Sequence, residues 1–233
     1  NIFSSTDELS FVTIETINKN KRIIDEDTLL GRSCIGGYDL SETQDFTATG
    51  LEFKLDDGSI FWKMQSFVPE ERVRIDKNPE RLKEWEKAGY LTIVPGEYVK
   101  YVYNWFVEQA KKYKIQQINY DPNKALFLNQ ALQQHGFNTK VVKQGFITLG
   151  GPMQNIKELL LDGKVVTNNN LMFRWYLNNV KLVTDRNNNW MPTKQSRNRK
   201  IDGFAALLNA HESLWENLNV KEKKARIKFV SLR

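Results

Sequence analysis

"GGYDLSETQDFTATG", residues 36–50, sets an aspartate inside a stretch that otherwise has the composition of a buried strand. Cys34, Ile35 and Tyr38 suit a strand, and the run from Phe46 to Thr49 opens another. A carboxylate at Asp39 is costly there unless a cation, a hydrogen-bond network or a metal compensates it. The flanking sequence extends the strand pattern. "FTATGLEFKL", residues 46–55, alternates Leu51, Phe53 and Leu55 with Glu52 and Lys54, which predicts a strand with one apolar face. "DDGS" at 56–59 is a hairpin signal, and "IFWKMQSFV" at 60–68 supplies a third strand. The three make an antiparallel meander.

Further along, the period changes from strand to helix. "NPERLKEWEKAGY" (78–90) is a short helix that Gly89 closes. "YVKYVYNWFVEQAKKY" (98–113) sets Val99, Val102, Tyr103, Phe106 and Ala110 on one face. "KIQQINYD" (114–121) is a fourth strand ending at Asp121. The helix "PNKALFLNQALQQHG" (122–136) follows, with Pro122 in its first turn and Gly136 past its end. "NTKVVKQ" (138–144) is a strand, while "GPMQNIKELLLDGK" (151–164) and "NLMFRWYLNN" (170–179) are helices. Residues 180–195 form a hairpin about an Asn-rich turn. The last helix, "IDGFAALLNAHESLWENL" (201–218), carries Phe204, Leu207, Leu208, His211, Leu214, Trp215 and Leu218 as one apolar stripe. Three antiparallel strands, then two strands alternating with helices, is the element order of a ribonuclease H-like α/β fold with a mixed central sheet flanked by helices.

The composition narrows the chemistry. The 233 residues, 40% hydrophobic and 12% aromatic, suffice for a sizeable core. No apolar run approaches the ~20 residues of a membrane span. One cysteine, Cys34, allows no internal disulfide and fits a reducing cytosol. One Cys and two His exclude a zinc finger, so any metal must be held by oxygen, which points to magnesium, manganese or calcium. The net charge of +6 is uneven: residues 164–233 carry 14 Lys and Arg against 5 Asp and Glu, the remainder 20 against 23. That excess of nine positive charges suits a polyanion such as nucleic acid, although a solvated surface also produces such asymmetry.

Three aspartates stand at places the fold makes significant. Asp39 lies late in the first strand, Asp121 ends the fourth, and Asp202 opens the last helix. In a ribonuclease H-like sheet the first and fourth strands are neighbours and the last helix crosses their ends, so the three carboxylates meet. Three anions together repel unless cations neutralise them, the arrangement of two-metal phosphodiester chemistry with Mg²⁺ or Mn²⁺. Ala205 and Ala206 would let the helix approach. Each aspartate has a competing structural reading: a helix N-cap for Asp121 and Asp202, a strand-end turn for Asp39. Glu42 and Asp45 are either further metal contacts or polar turn residues, and Asp56 and Asp57 are turn residues. His211, on the apolar stripe, is a core histidine; His135 closes a helix. Cys34 and the tryptophans 105, 175 and 215 are packing residues.

"TKQSRNRK" (193–200) runs directly into Asp202. Its Lys194, Arg197, Arg199 and Lys200 suit the phosphates flanking a cut, against the alternative of a solvated loop. No motif would read base edges. The tail "KEKKARIKFVSLR" (221–233) is a DNA or partner contact, or a solubilising end.

"YDLSETQDFTA", "INYDPNKA", "QGFITLGGPMQNIKELLLDGKV", "RWYLNNV" and "KIDGFAALLNA" resemble, in that order, the C-terminal nuclease domain of the large terminase subunit of tailed phages. The resemblance runs from about residue 36 to about residue 210. It implies a metal-dependent endonuclease that cuts concatemeric viral double-stranded DNA in the host cytoplasm, with the catalytic and metal-binding roles on Asp39, Asp121 and Asp202. It also implies a packaging ATPase domain, for which no GxxxxGK[ST] loop occurs here, and a portal and small terminase subunit as partners. On this reading residues 1–33 are the remnant of an interdomain linker, 34–218 the nuclease domain and 219–233 a basic tail. A non-catalytic DNA- or portal-binding module with a vestigial acidic site, or a related resolvase or transposase, is the alternative.

Overall fold

The computed structural model describes residues 10–40, 46–96, 98–194, 196 and 199–230, with side chains to residue 217. The meander forms as the sequence predicts: β1 (Ser33–Asp39), β2 (Thr47–Lys54) and β3 (Ile60–Pro69) pair antiparallel in turn. Gly58, at φ 82°, makes the tight β2–β3 turn that a β-carbon would strain. β4 (Leu91–Val94) adds to β3 in parallel, and β5 (Lys114–Tyr120) and β6 (Thr139–Val141) extend the other side in parallel from β1. The order is β4-β3-β2-β1-β5-β6, with the two-residue β7 (Val165–Val166) also on β3. This is a ribonuclease H-like fold, and β1 and β5 are neighbours as expected. β4 and β7, at four and two residues, are too short to show a period in sequence.

Helices cover both faces. α4 (Val99–Ala110) and α5 (Leu126–Gln134) pack on one, around Tyr38, Phe53, Phe106 and Leu128. The other carries α6 (Phe146–Leu161), α7 (Leu171–Asn179) and α8 (Asp202–Val230), around Phe46, Trp62, Tyr176 and Phe204. α1 (Ile14–Lys19), α2 (Glu70–Ile75) and α3 (Pro79–Lys87) complete the α-helices of the described residues, and β8 (Val180–Thr184) pairs with β9 (Trp190–Lys194) in the expected hairpin. None of the helices is long and apolar enough to cross a membrane.

Four expectations need correction. The helix after Asp121 begins at Leu126, not at Pro122, because Asp121 Oδ1 accepts the Asn123 N–H at 2.9 Å and Lys124 turns to φ 61°. α6 begins five residues before Gly151 and runs through Gly150, Gly151 and Pro152. Those glycines, a stop signal by sequence, fit α6 against its neighbours: a β-carbon on Gly151 would lie 2.7 Å from Trp215 Nε1. Glu52 is not on a solvated face. Between β1 and β3 both faces of β2 are covered, and Glu52 is 2% exposed. Part of the segment expected as a connector packs on the domain: Phe11 and Ile17 are buried, and Asn20 bonds the Leu160 carbonyl and the Val165 N–H.

Candidate nuclease site

Pleating decides which side chains share a face. Tyr38 stacks on Tyr120 on the α4 side, with ring centroids 5.2 Å apart, and these two residues are paired in register. Asp39 and Asp121 each follow one residue later, so both turn to the opposite, α8 face at the carboxyl ends of adjacent strands. The same alternation puts Gly37 and Asn119 beneath α8. A β-carbon on Gly37 would lie 2.2 Å from the Ala206 carbonyl oxygen and 2.9 Å from Ala210. Glycine here, more than the alanines opposite, lets the helix lie on β1. Gly203 allows an equally close start, 2.4 Å from the Tyr176 ring for a virtual β-carbon.

Amides then fix the helix in register. Asn119 Nδ2 donates to the Asn209 carbonyl and to Ser213 Oγ, each at 2.8 Å. Asn209 Nδ2 donates to the Tyr38 carbonyl at 3.0 Å, one residue before Asp39. Gln144 Nε2 donates to the Val142 carbonyl and to Asn209 Oδ1. Carbonyls at both ends of this chain accept only, which sets the orientation of the two amides. Gln144 therefore retains its side-chain oxygen as an acceptor.

The result is a cleft of about 320 Å³ lined by Asp39, Asp121 and Asp202 together with Gln144, Lys194 and Lys200. Residues 39, 121 and 202, far apart in sequence, reach it from β1, the turn after β5 and the first turn of α8. The N-cap reading of Asp121 fails, since Ala125 holds the position before α5. Of the basic strip, Lys194 is exposed at the end of β9 and Lys200 is 7% exposed, its carbonyl held by Asn179 Nδ2 at 2.8 Å. Arg199 turns instead to Asn179 Oδ1 at 3.3 Å. Arg197, Glu42 and Asp45 lie outside the described residues.

Among the described residues no group of three or more Asp, Glu, His and Cys side chains is placed to hold one ion. The donors lining the cleft are nonetheless all oxygens, with no thiol or imidazole, which suits a hard divalent cation. Three carboxylates without such an ion repel one another, and Lys194 and Lys200 place compensating charge beside them. A larger cleft, about 460 Å³, lies by Pro69, Tyr98 and Phe127 and brings none of these groups together.

Cys34 is buried, and its burial pushes the thiol up to about 12, so it is a packing residue. His211 is fully buried as expected, but it is not merely apolar filling. Its Nδ1 lies 2.6 Å from Glu52 Oε1 and its Nε2 3.0 Å from Asn155 Oδ1, joining α8 to β2 and α6. Gln144, Asn119 and Asn209 carried no sequence signal, being neutral amides whose neighbours come from distant segments.

Comparison with known proteins agrees with this fold. A family model described as "Terminase large subunit, endonuclease domain" matches residues 1–217. The large terminase subunit of Enterobacteria phage HK97 is 26% identical over 185 residues, covering 76% of this chain and 36% of that protein. The crystal structure of the HK97 large terminase superposes with a TM-score of 0.77 at 19% identity, covering 88% of this chain and 43% of that one. The large terminase nuclease of thermophilic phage G20c, solved with bound magnesium, gives 0.55 at 12% identity, covering 88% and 98%. The chain spans less than half the length of the curated relatives it matches. With its element order, its cleft at the β1–β5 edge and a family match over nearly all its length, this chain belongs to the terminase large subunit endonuclease domain family.

Proposed function

We propose that this chain is a divalent-metal-dependent endodeoxyribonuclease that cuts concatemeric viral double-stranded DNA during genome packaging. The observation that carries the reading is the convergence of Asp39, Asp121 and Asp202 on one cleft. These three would hold Mg²⁺ or Mn²⁺, with Asp45 and Glu42 as further candidates, and the G20c relative was solved with magnesium. Two such ions supply an activated water and neutralise charge on the scissile phosphate. The carboxylates fix where the ions sit, and Gln144 offers a neutral acceptor to orient a water. Lys200, largely buried, adds a positive charge where negative charge builds on the phosphate. Lys194, Arg197 and Arg199 hold the backbone on either side of the cut without reading its sequence.

In the intact protein we assign residues 1–33 to the junction with a packaging ATPase domain, 34–218 to the nuclease and 219–233 to a basic tail. The portal, the small subunit and the host cytoplasm complete the setting. Supercoiled plasmid tests the activity: nicking with manganese and none in EDTA is expected, and Asp39→Ala, Asp121→Ala and Asp202→Ala should each abolish it while remaining folded. A wild-type chain that binds DNA but never cuts it at any manganese concentration would leave a binding module instead.

A further inference from the structure

α3 and α7 meet on the α8 face of the sheet, on the side of β3 and β4. Trp85 of α3 packs on Trp175 of α7 with centroids 5.2 Å apart, and Trp175 packs in turn on Phe46. Arg81, one turn before Trp85, lays its guanidinium 4.9 Å from the centroids of both indoles. The ring faces attract the cation, and contact with two of them fixes the plane of the fork. Opposite charge does not complete the arrangement. The nearby carboxylate, Asp76, is taken by Arg72 at 3.0 Å. Among the described residues Arg81 forms no ion pair, and its Nε is buried without a hydrogen-bond partner.

Arg199 brings a second guanidinium to the same end of α7, one turn beyond the indole on which Arg81 lies. It leaves the chain one residue before Lys200 of the cleft, and its guanidinium donates to neutral Asn179 Oδ1. Asn179 in turn holds the Lys200 carbonyl, so the end of α7 ties this loop down four residues after Trp175. Burial sets the proton affinity of Arg81 below the usual arginine value, Asp76 opposes that, and the Arg199 charge adds to it. Two arginines that sense each other, with the nearby Asp76 carboxylate already paired to Arg72, are costly in the free protein. A planar anion bound by both offsets that cost, and a phosphodiester suits the guanidinium fork.

We propose that Arg81, in its Trp85–Trp175 cradle, and Arg199 together form a seat for one backbone phosphate of a nucleic acid that continues into the acidic cleft. This rests on the nuclease reading above and adds Arg81, which lies more than 100 residues from the basic strip.

The test is fluorescence anisotropy with a short labelled duplex in EDTA across a salt series. Arg81→Met, which keeps the packing and removes the charge, should weaken binding about tenfold at low salt and lower the log–log salt slope by about 0.9, one phosphate contact. Arg81→Lys should recover the slope. The melting temperature of Arg81→Met without DNA should be unchanged or higher. A second readout uses the wild-type protein and so does not depend on the folding of the variant: duplex should protect Arg81 from phenylglyoxal, measured by peptide mass spectrometry. Wild-type binding with an unaltered slope in Arg81→Met, or equal modification with and without duplex, overturns the seat and leaves the nuclease reading standing. Failure of the wild type to bind duplex at any salt concentration removes both.

Discussion

Gly37 controls how near the acidic end of α8 comes to Asp39. With a virtual β-carbon 2.2 Å from the Ala206 carbonyl, Gly37→Ala cannot be absorbed by a side-chain rotation, because the obstacle is backbone. The helix must lift from β1. Overpacking of this kind costs about 1–3 kcal/mol, so the variant should melt lower yet remain folded, and nicking should fall far more than stability does. Full activity at normal stability would show that the helix has slack there. Sequence revealed the aspartates because charge in a strand is anomalous on its own. It concealed the amides that aim them, since Asn119, Asn209 and Gln144 are unremarkable until the fold brings the Tyr38 carbonyl within reach.

α8 is held from three sides, and the His211 contact is the most deeply buried of its polar ties. The alternation along β2 suggested an exposed Glu52, but helices pack on both faces of the sheet over this strand, and period alone cannot distinguish the cases. The histidine was legible as a core residue; its partner was not. His211→Ala strands a carboxylate at 2% exposure whose other oxygen already lacks a partner. Leaving a buried acceptor without its hydrogen-bond partner costs about 1–3 kcal/mol, measurable by urea denaturation. A loss below about 1 kcal/mol would mean that the pair does not lock the helix. At this level the sequence also located the β8–β9 hairpin, whose Asp185 accepts the Asn187 and Asn189 N–H groups. It missed the first turns of α6, because a Gly-Gly-Pro run normally ends a helix and here serves a close approach.

The whole molecule gathers the three aspartates at one sheet edge. β1, β3, β4, β5 and β6 run the same way, so their carboxyl ends gather on one edge, and α8 begins over it. The meander and the two parallel strands made this arrangement readable from the chain alone. The packing of residues 10–32 onto the domain was less so, because it depends on single contacts such as Asn20 with Leu160 and Val165. Charge follows the same plan, with an acidic cleft bordered by Lys194 and Lys200 and an excess of positive charge in the last third of the chain. The central claim is that Asp39, Asp121 and Asp202 hold the metal, and anomalous diffraction from manganese-soaked crystals tests it without relying on activity. Manganese should be bound against these three carboxylates, as two ions about 3.5–4 Å apart when DNA is present, and Asp121→Ala should lose the signal. Manganese bound elsewhere on the domain, with these carboxylates untouched, would contradict the account.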